Sequence, residues 1–305
     1  MPFDPMGRDP NREIAAMRRR KMWNKVAFWS YFTFIALAMI SPLSSTEKTI
    51  VFVSSVALLL IYAKVLSRVR LWIYFVGKRG EFDRALRLNC QFAWIPGYGD
   101  SLEGPILFNA GRYREAQSFL EPLAYDAKGE PRLTSLEFYT YALALNNDGR
   151  EAEAEKLLEA AVQVPQRTKG IHVALASCLL SQKKDPERAC GLMEQALAAT
   201  DLQSTSYGRD SDRMTRIALY AWALAACGRR PEAEARMQEA LAGAASLKDA
   251  ERAGVLYFAG EAWRAMGEWR KARATFQEAL MLSPEGPAAT GSQKALKRMR
   301  EEAGG

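Results

Sequence analysis

Near its C-terminal end the chain reads Gly267-Glu-Trp269-Arg-Lys-Ala272-Arg-Ala-Thr-Phe276-Gln-Glu-Ala279-Leu-Met-Leu-Ser-Pro284. A glycine opens this stretch, alanines stand five and twelve residues after it, and a proline closes it. Upstream, Leu256, Gly260 and Trp263 belong to the same pattern. Small residues on both sides of a turn glycine indicate two helices that touch closely across a tight turn.

The same spacing recurs along the chain. An alanine stands five residues after the turn position in each of six successive units, whose turn positions are Gly80, Gly111, Gly149, Lys184, Gly228 and Gly267 and whose alanines are Ala85, Ala116, Ala154, Ala189, Ala233 and Ala272. The position twelve after the turn is alanine only in the last four units, so the first two units are degenerate. Turn positions lie 31 to 44 residues apart, and the largest insertion is the polar stretch from Thr200 to Asp212.

This pattern resembles the tetratricopeptide repeat (TPR), a helix-turn-helix unit of about 34 residues. The resemblance implies an all-α fold in which about six units stack into a solenoid over residues 67–286. Each unit buries its apolar face only against its neighbours, so the ends need caps. Residues Ala288 to Glu302 carry apolar side chains at helical spacing, which predicts a C-terminal capping helix within residues 287–305.

Two apolar runs precede the repeats. Val26 to Leu43 and Thr49 to Leu66 each have about the length needed to cross a bilayer, and only Ser44 to Lys48 separates them. The sequence therefore predicts a two-helix transmembrane hairpin over residues 26–66, after a basic segment over residues 1–25. Basic residues flank both runs on the outside of the hairpin. By the positive-inside rule we expect a multi-pass protein of the cell (inner) membrane with both termini and the repeats in the cytoplasm.

Two alternatives for these runs remain. The first run would be a cleaved signal peptide if Ala36-Leu-Ala38 were its cleavage site, but the 25-residue polar leader and the aromatic stretch Phe28-Trp-Ser-Tyr-Phe-Thr-Phe34 argue against it. One of the runs would instead be a buried helix of a soluble protein. Two consecutive runs with basic flanks favour the hairpin over that alternative.

Charge and reactive residues argue against several function classes. The net charge is +7, but residues 1–79 hold thirteen Lys and Arg against four Asp and Glu, whereas residues 80–305 hold 29 against 31. The solenoid thus lacks the basic surface that a nucleic acid requires, and we expect no nucleic-acid partner. The four cysteines are scattered, and His172 is the single histidine. The sequence also has no nucleotide-binding, zinc-protease or nucleophile-elbow motif. We therefore expect no bound metal, no cofactor and no enzymatic activity.

The TPR resemblance also implies where a ligand would bind. In that family the first helix of each unit lines the concave face, and the corresponding positions here include Tyr139, Asn146, Trp222 and Tyr257. TPR domains that bind C-terminal carboxylates use Lys, Arg and Asn at such positions, but Arg264 is the only cation at them in the last four units. We therefore expect a protein-binding groove for an apolar peptide segment, not a carboxylate clamp.

Two functions fit these expectations. The first is a membrane-anchored TPR adaptor or scaffold, in which the hairpin fixes the location and the solenoid recruits a protein partner. The second is an integral structural or assembly subunit of a membrane complex, whose hairpin makes the main contacts with other helices.

Overall fold

The computed structural model describes residues 44–78, 80–92, 102–126, 128–132, 136–164, 168–198 and 209–304, together with positions 30, 33 and 40. These residues form an all-helical fold, and the one extended pairing among them is an isolated bridge between Tyr125 and Pro131. The helices are α1 (Ser45–Lys78), α2 (Phe82–Phe92), α3 (Glu103–Asn109), α4 (Tyr113–Ala124), α5 (Leu136–Asp148), α6 (Glu151–Val162), α7 (Thr168–Ser181), α8 (Pro186–Ala198), α9 (Arg209–Ala226), α10 (Arg230–Ala244), α11 (Asp249–Ala265), α12 (Trp269–Leu282) and α13 (Pro287–Gly304).

Contacts divide the chain into two compact units. Of the described residues, the first unit contains helix α1 up to Val76 and helix α2 from Asp83, and the second contains the segment Gly77–Phe82 and everything from Glu103 onward. The candidate site lies entirely in the second unit.

The second unit shows helical repeat-like packing. Its odd-numbered helices, from α3 to α13, pack in succession, and each even-numbered helix packs between the odd-numbered helices that precede and follow it. Each pair of an odd-numbered helix and the even-numbered helix after it forms one layer. Since the next layer completes the core of each layer, the stability of the fold arises mainly from contacts between neighbouring layers.

Left-handed residues end the first helix of each pair. Gly111, Gly149, Gly228 and Gly267 have φ between +75° and +93°, a region that glycine enters without steric cost. After α3, the amide of Gly111 donates to the carbonyl of Phe108 and that of Arg112 donates to the carbonyl of Leu107, both at 3.0 Å. This pair of bonds is the Schellman motif, which satisfies the last carbonyls of a helix.

The turn between α7 and α8 corrects the predicted register. Its left-handed residue is Lys183 (φ +55°), not Lys184, and Asp185 (φ +36°) is also left-handed. The amide of Lys184 donates to the carbonyl of Leu179 at 2.9 Å, which makes Lys183 the counterpart of the glycines. Lys183 stands six residues before Ala189, whereas each turn glycine stands five residues before its alanine. This turn has no glycine, and it uses two left-handed residues, Lys183 and Asp185.

Small residues stand where the helices of a pair touch. The alanines that follow the turns of the second unit, Ala116, Ala154, Ala189, Ala233 and Ala272, are all 0% exposed. In α11, a Cβ built on Gly260 would lie 2.5 Å from Cε1 of Phe276 in α12, so the aromatic ring occupies the space that any other residue would need. The close approach of α11 and α12 therefore requires glycine.

A charge pair that the repeat pattern did not predict opens the second helix of several helix pairs. The residue after the turn glycine is an arginine that bonds a glutamate three residues later: Arg150 with Glu153 and Arg229 with Glu232, both at 2.5 Å, and Arg112 with Glu115. The carboxylate stands in the first helical turn, where it is favoured by the helix dipole.

Helix α1 is long and largely exposed. Its stretch Ser45–Tyr74 is the one candidate membrane span among the described residues, judged by length and apolar composition. Large apolar side chains on it are exposed, for example Leu58 and Leu60 at 64% each. The predicted run Thr49 to Leu66 thus lies in one continuous helix that extends to Lys78. The other predicted run, Val26 to Leu43, lies outside the described residues apart from Ser30, Thr33 and Ile40, and so does the segment 1–25.

The last helix of the second unit also contacts its first pair. A Cβ built on Gly286, immediately before α13, would lie 2.7 Å from the carbonyl oxygen of Asn109 at the end of α3. A Cβ on Gly111 would lie 3.3 Å from Oγ1 of Thr290 in α13. The row of odd-numbered helices therefore curves until its last member meets its first.

Candidate functional site

A cavity of about 400 Å³ lies inside this curved row of helices. The odd-numbered helices of the second unit, from α3 to α13, each contribute lining residues. Among them are Tyr139 on α5, Ser177 on α7, Thr215 on α9, Tyr257 on α11 and Lys294 on α13. A concave site of this size, built from elements distant in sequence, is typical of a ligand-binding pocket.

Two asparagines at the end of α5 form one polar corner of the cavity. The Oδ1 atom of Asn146 is buried and accepts no hydrogen bond from the described residues. Asn147 donates through Nδ2 to the carbonyl of Leu143 at 2.9 Å, and its own carbonyl accepts a hydrogen bond from Nζ of Lys294. A buried amide oxygen without a partner among the described residues costs free energy, so a movement that brought an N–H or O–H donor to Asn146 would be favourable.

An aromatic wall stands opposite on α11. The ring of Tyr257 lies 4.9 Å from that of Phe258 and 6.2 Å from that of Phe276, measured between centroids. Helix α13 presses on the same ring, because a Cβ built on Gly291 would lie 2.6 Å from Cε2 of Tyr257. Burial raises the pKa of the Tyr257 phenol, with a further contribution from the nearby carboxylate of Glu261. The phenol thus remains protonated and can donate a hydrogen bond.

A buried ion pair lies below this wall. Glu261 is 3% exposed, and its Oε2 lies 2.8 Å from Nη2 of Arg264. Burial raises the pKa of the Glu261 carboxyl, whereas the guanidinium groups of Arg264 and Arg298 oppose that rise. Glu302, at the end of α13, lies 4.0 Å from Arg264 and 3.6 Å from Lys183. The last helix is therefore joined by charge to both α11 and the turn after α7.

The lining carries more charge than the sequence predicted. Among the described residues its acidic members exceed its two cations, both of which come from α13: Glu151, Asp212, Glu251, Glu261 and Glu285 against Lys294 and Arg298. The ligand-facing positions that the sequence predicts lie on the first helix of each pair, so they do not include Lys294 and Arg298. Because odd- and even-numbered helices alternate regularly, α13 joins the row of odd-numbered helices that lines the cavity. The predicted capping helix over residues 287–305 was the feature of the sequence from which its contribution could have been inferred.

Three of the four residues predicted for the groove meet in this cavity. Tyr139, Asn146 and Tyr257 line it, from α5 and α11. Trp222 is not one of its lining residues; it is 3% exposed and packs against Phe258, with the two ring centroids 6.3 Å apart. In the structure Trp222 therefore supports the wall from behind. The role of all four residues in binding stays a prediction.

Other reactive side chains lie apart from the cavity or pack into the helices. The described residues contain no group of three or more His, Cys, Asp or Glu side chains arranged to hold a metal ion. His172 on α7 is partly buried, and this burial lowers the pKa of its imidazole. The cavity lining combines hydrogen-bonding, charged and aromatic side chains on packed helices. This combination suits a ligand that has both polar and apolar groups.

Comparison of the chain with protein-family profiles, with curated proteins and with solved structures finds no match in any of the three.

Proposed function

We propose that this protein is a membrane-anchored adaptor of the TPR type, whose cavity binds a segment of a protein partner. The observation that carries the proposal is the convergence of Tyr139, Asn146 and Tyr257 on one cavity. These positions were selected from the sequence as ligand-facing, and they come from helices more than a hundred residues apart. Support for the repeat type comes from the successive packing of odd-numbered helices and from the buried alanines after each turn.

The chemistry of the lining restricts the ligand. Tyr139 and Tyr257 offer apolar ring faces, and Asn146 offers an amide oxygen that suits a backbone N–H. Glu151 and Glu251 line the cavity as partly buried carboxylates, so a positive charge on the ligand is also favoured. The ligand we propose is therefore a short segment that combines apolar side chains with at least one Lys or Arg.

A membrane anchor fits the exposed surface of α1. Apolar side chains in water cost about 25 cal/mol per Å² of exposed area relative to an apolar medium, so a helix with this much exposed apolar surface is suited to lipid or to other membrane helices. In the proposal α1 forms the second arm of the hairpin 26–66, and both termini face the cytoplasm. Anchoring raises the local concentration of the cavity near membrane-bound partners, which compensates for modest affinity.

Site-specific photocrosslinking in native membranes tests this function. A photoreactive phenylalanine analogue replaces Tyr139 in the cavity, Trp269 on α12 or Leu58 on α1, one at a time in the full-length chain. Trp269 is a matched aromatic control because it is 47% exposed and does not line the cavity. We expect a discrete crosslinked partner from position 139 and none from position 269.

Two results would contradict the adaptor. Equal crosslinking from positions 139 and 269 would indicate nonspecific contact. Crosslinking from position 58 alone would favour the integral subunit, in which the membrane helices make the main contacts.

A further inference from the structure

Two cysteines that are 37 residues apart in sequence lie in contact. Cys190 belongs to α8, and Cys227 follows the last residue of α9 in the turn toward α10. Their Sγ atoms are 3.3 Å apart, and both are free thiols. A disulfide requires about 2.05 Å between the sulfurs, so the two Sγ atoms would have to approach by about 1.25 Å (3.3 Å less 2.05 Å). The third described thiol that is free, Cys178, instead donates to the carbonyl of Glu151 at 3.3 Å.

The two thiols differ in access. Cys190 is 5% exposed, whereas Cys227 is partly exposed in its turn. A reagent in solution therefore reaches Cys227 first, and Cys190 is positioned behind it as the resolving thiol. Charged side chains lie near the two thiols. Arg229, two residues after Cys227, opposes the rise that burial causes in the pKa of both thiols and lies 3.7 Å from Glu194. Glu194 also accepts a hydrogen bond from the Tyr220 phenol at 2.8 Å.

We propose that Cys190 and Cys227 form a dithiol modification site that closes to an intramolecular disulfide by exchange with a low-molecular-weight disulfide. The thiol of Cys227 loses its proton to solvent, and its sulfur attacks one sulfur of the small disulfide, releasing one small thiolate. The sulfur of Cys190, after losing its own proton, then attacks Sγ of Cys227 and releases the second small thiolate. The protein dithiol is oxidised by two electrons, the small disulfide is reduced to two thiols, and the two protons balance the two thiolates.

The exchange has a defined pH dependence. Burial raises the pKa of Cys190 to about 12, and burial also raises the pKa of Cys227 above its ordinary value. Because the thiolate is the attacking species, the reaction is slow near neutral pH and accelerates as pH rises.

Closure would tie two neighbouring layers of the repeat. Cys190 lies on the helix that completes the α7/α8 pair, and Cys227 lies in the turn of the α9/α10 pair. Helices α7 and α9 both line the cavity, through residues such as Ser177 and Thr215. The disulfide would fix the separation of these layers and remove the freedom of the long connection between α8 and α9 from the unfolded chain.

A variant that retains only this pair tests the site. The full-length protein with Cys90→Ser and Cys178→Ser is incubated in detergent with oxidised glutathione at about pH 7 and about pH 9. We expect intact-mass spectrometry to show loss of two hydrogen atoms without retained glutathione, faster at the higher pH. Proteolytic mapping should place the new bond between Cys190 and Cys227, and the midpoint of thermal unfolding should rise. Adding Cys190→Ser should leave one glutathione on Cys227, because no resolving thiol remains.

Two outcomes would overturn the site. One is a stable glutathione adduct on the pair-only variant, which would show that Cys190 does not resolve it. The other is a pair that stays reduced at the higher pH under conditions that modify Cys227 in the Cys190→Ser variant. Far-UV circular dichroism of each variant verifies that serine leaves the helices intact.

Discussion

The carbonyl oxygen of Asn109 lies too close to Gly286 for a Cβ at position 286 to fit without a shift. A Cβ built on Gly286 comes within 2.7 Å of that oxygen, and Gly286 also has φ +94°. Two independent constraints thus require glycine immediately before α13. This contact brings the last helix against the first pair of the second unit, and it places Lys294 and Arg298 in the cavity.

Replacing this glycine should open the contact. Gly286→Ala introduces both left-handed strain and a clash, and we expect a loss of about 1 to 3 kcal/mol in the free energy of unfolding. Gly191→Ala in α8 is a matched control, since a Cβ there has no neighbour within 4 Å in the part of the chain that the structure describes. Alanine inside a helix should stabilise that variant by about 0.5 to 1 kcal/mol. Equal midpoints of thermal unfolding for the two variants would argue against the tight approach of α13.

The fully buried alanine of α12 should not accept a larger side chain. Ala272 is 0% exposed, so Ala272→Leu should overpack its contact with α11 at a cost of about 1 to 3 kcal/mol. Ala274 is exposed on the same helix, and Ala274→Leu should change stability by less than about 0.5 kcal/mol. Denaturant unfolding of the full-length chain in detergent measures both. A pair of variants that unfold alike would mean that the repeat register is wrong.

Protonation of Glu261 should couple stability to pH. Because burial raises the pKa of its carboxyl in the folded state, the folded chain binds this proton more tightly than the unfolded chain does. Stability from this group is therefore full below the unfolded pKa and is lost as pH rises toward the folded pKa. We expect the stability of the natural chain relative to Glu261→Gln to fall as pH rises above the ordinary carboxyl pKa of about 4.5. A difference in unfolding free energy that does not change with pH would contradict the raised pKa.

Membrane topology is tested by cysteine labelling in intact cells. Ser45 lies at the start of α1 and Gln293 lies on α13, and both are exposed. If both termini are in the cytoplasm, as we propose, a membrane-impermeant thiol reagent should label Ser45→Cys and not Gln293→Cys in a chain whose four natural cysteines are replaced by serine. Labelling of both positions after permeabilisation shows that each thiol is reachable. The reverse pattern in intact cells would place the repeats on the other side of the membrane.

Binding in the cavity should depend on Tyr139 and on salt. Tyr139→Ala removes an aromatic face and should weaken capture of a partner by about 1 to 2 kcal/mol, whereas Trp269→Ala should have little effect. Because Glu151 and Glu251 line the cavity, raising the salt concentration should also weaken the binding of a cationic ligand. Trp222→Ala is unsuited to this comparison, because loss of a buried Trp costs about 3 to 5 kcal/mol in stability. Binding that is unchanged in Tyr139→Ala would exclude the cavity as the site.

Local pattern determined much of this protein from its sequence. A left-handed glycine and a small residue at fixed spacing satisfy a helix end and permit close approach, so turn positions such as Gly267 and contact positions such as Ala272 are visible in the sequence alone. The uninterrupted apolar run within α1 is visible for a similar reason, since length and hydropathy are properties of the segment itself. The groove positions Tyr139, Asn146 and Tyr257 are what the TPR resemblance implies once these turns are placed, and their role in binding stays a prediction.

Tertiary structure decided what depends on residues far apart in the chain. The curvature that brings Gly286 to Asn109 accumulates from small rotations between successive layers, and no single layer encodes it. The same accumulation places Lys294 beside Asn147, buries Trp222 behind the cavity wall and sets Cys190 against Cys227. Each of these contacts depends on the summed geometry of several interfaces, which sequence spacing does not specify.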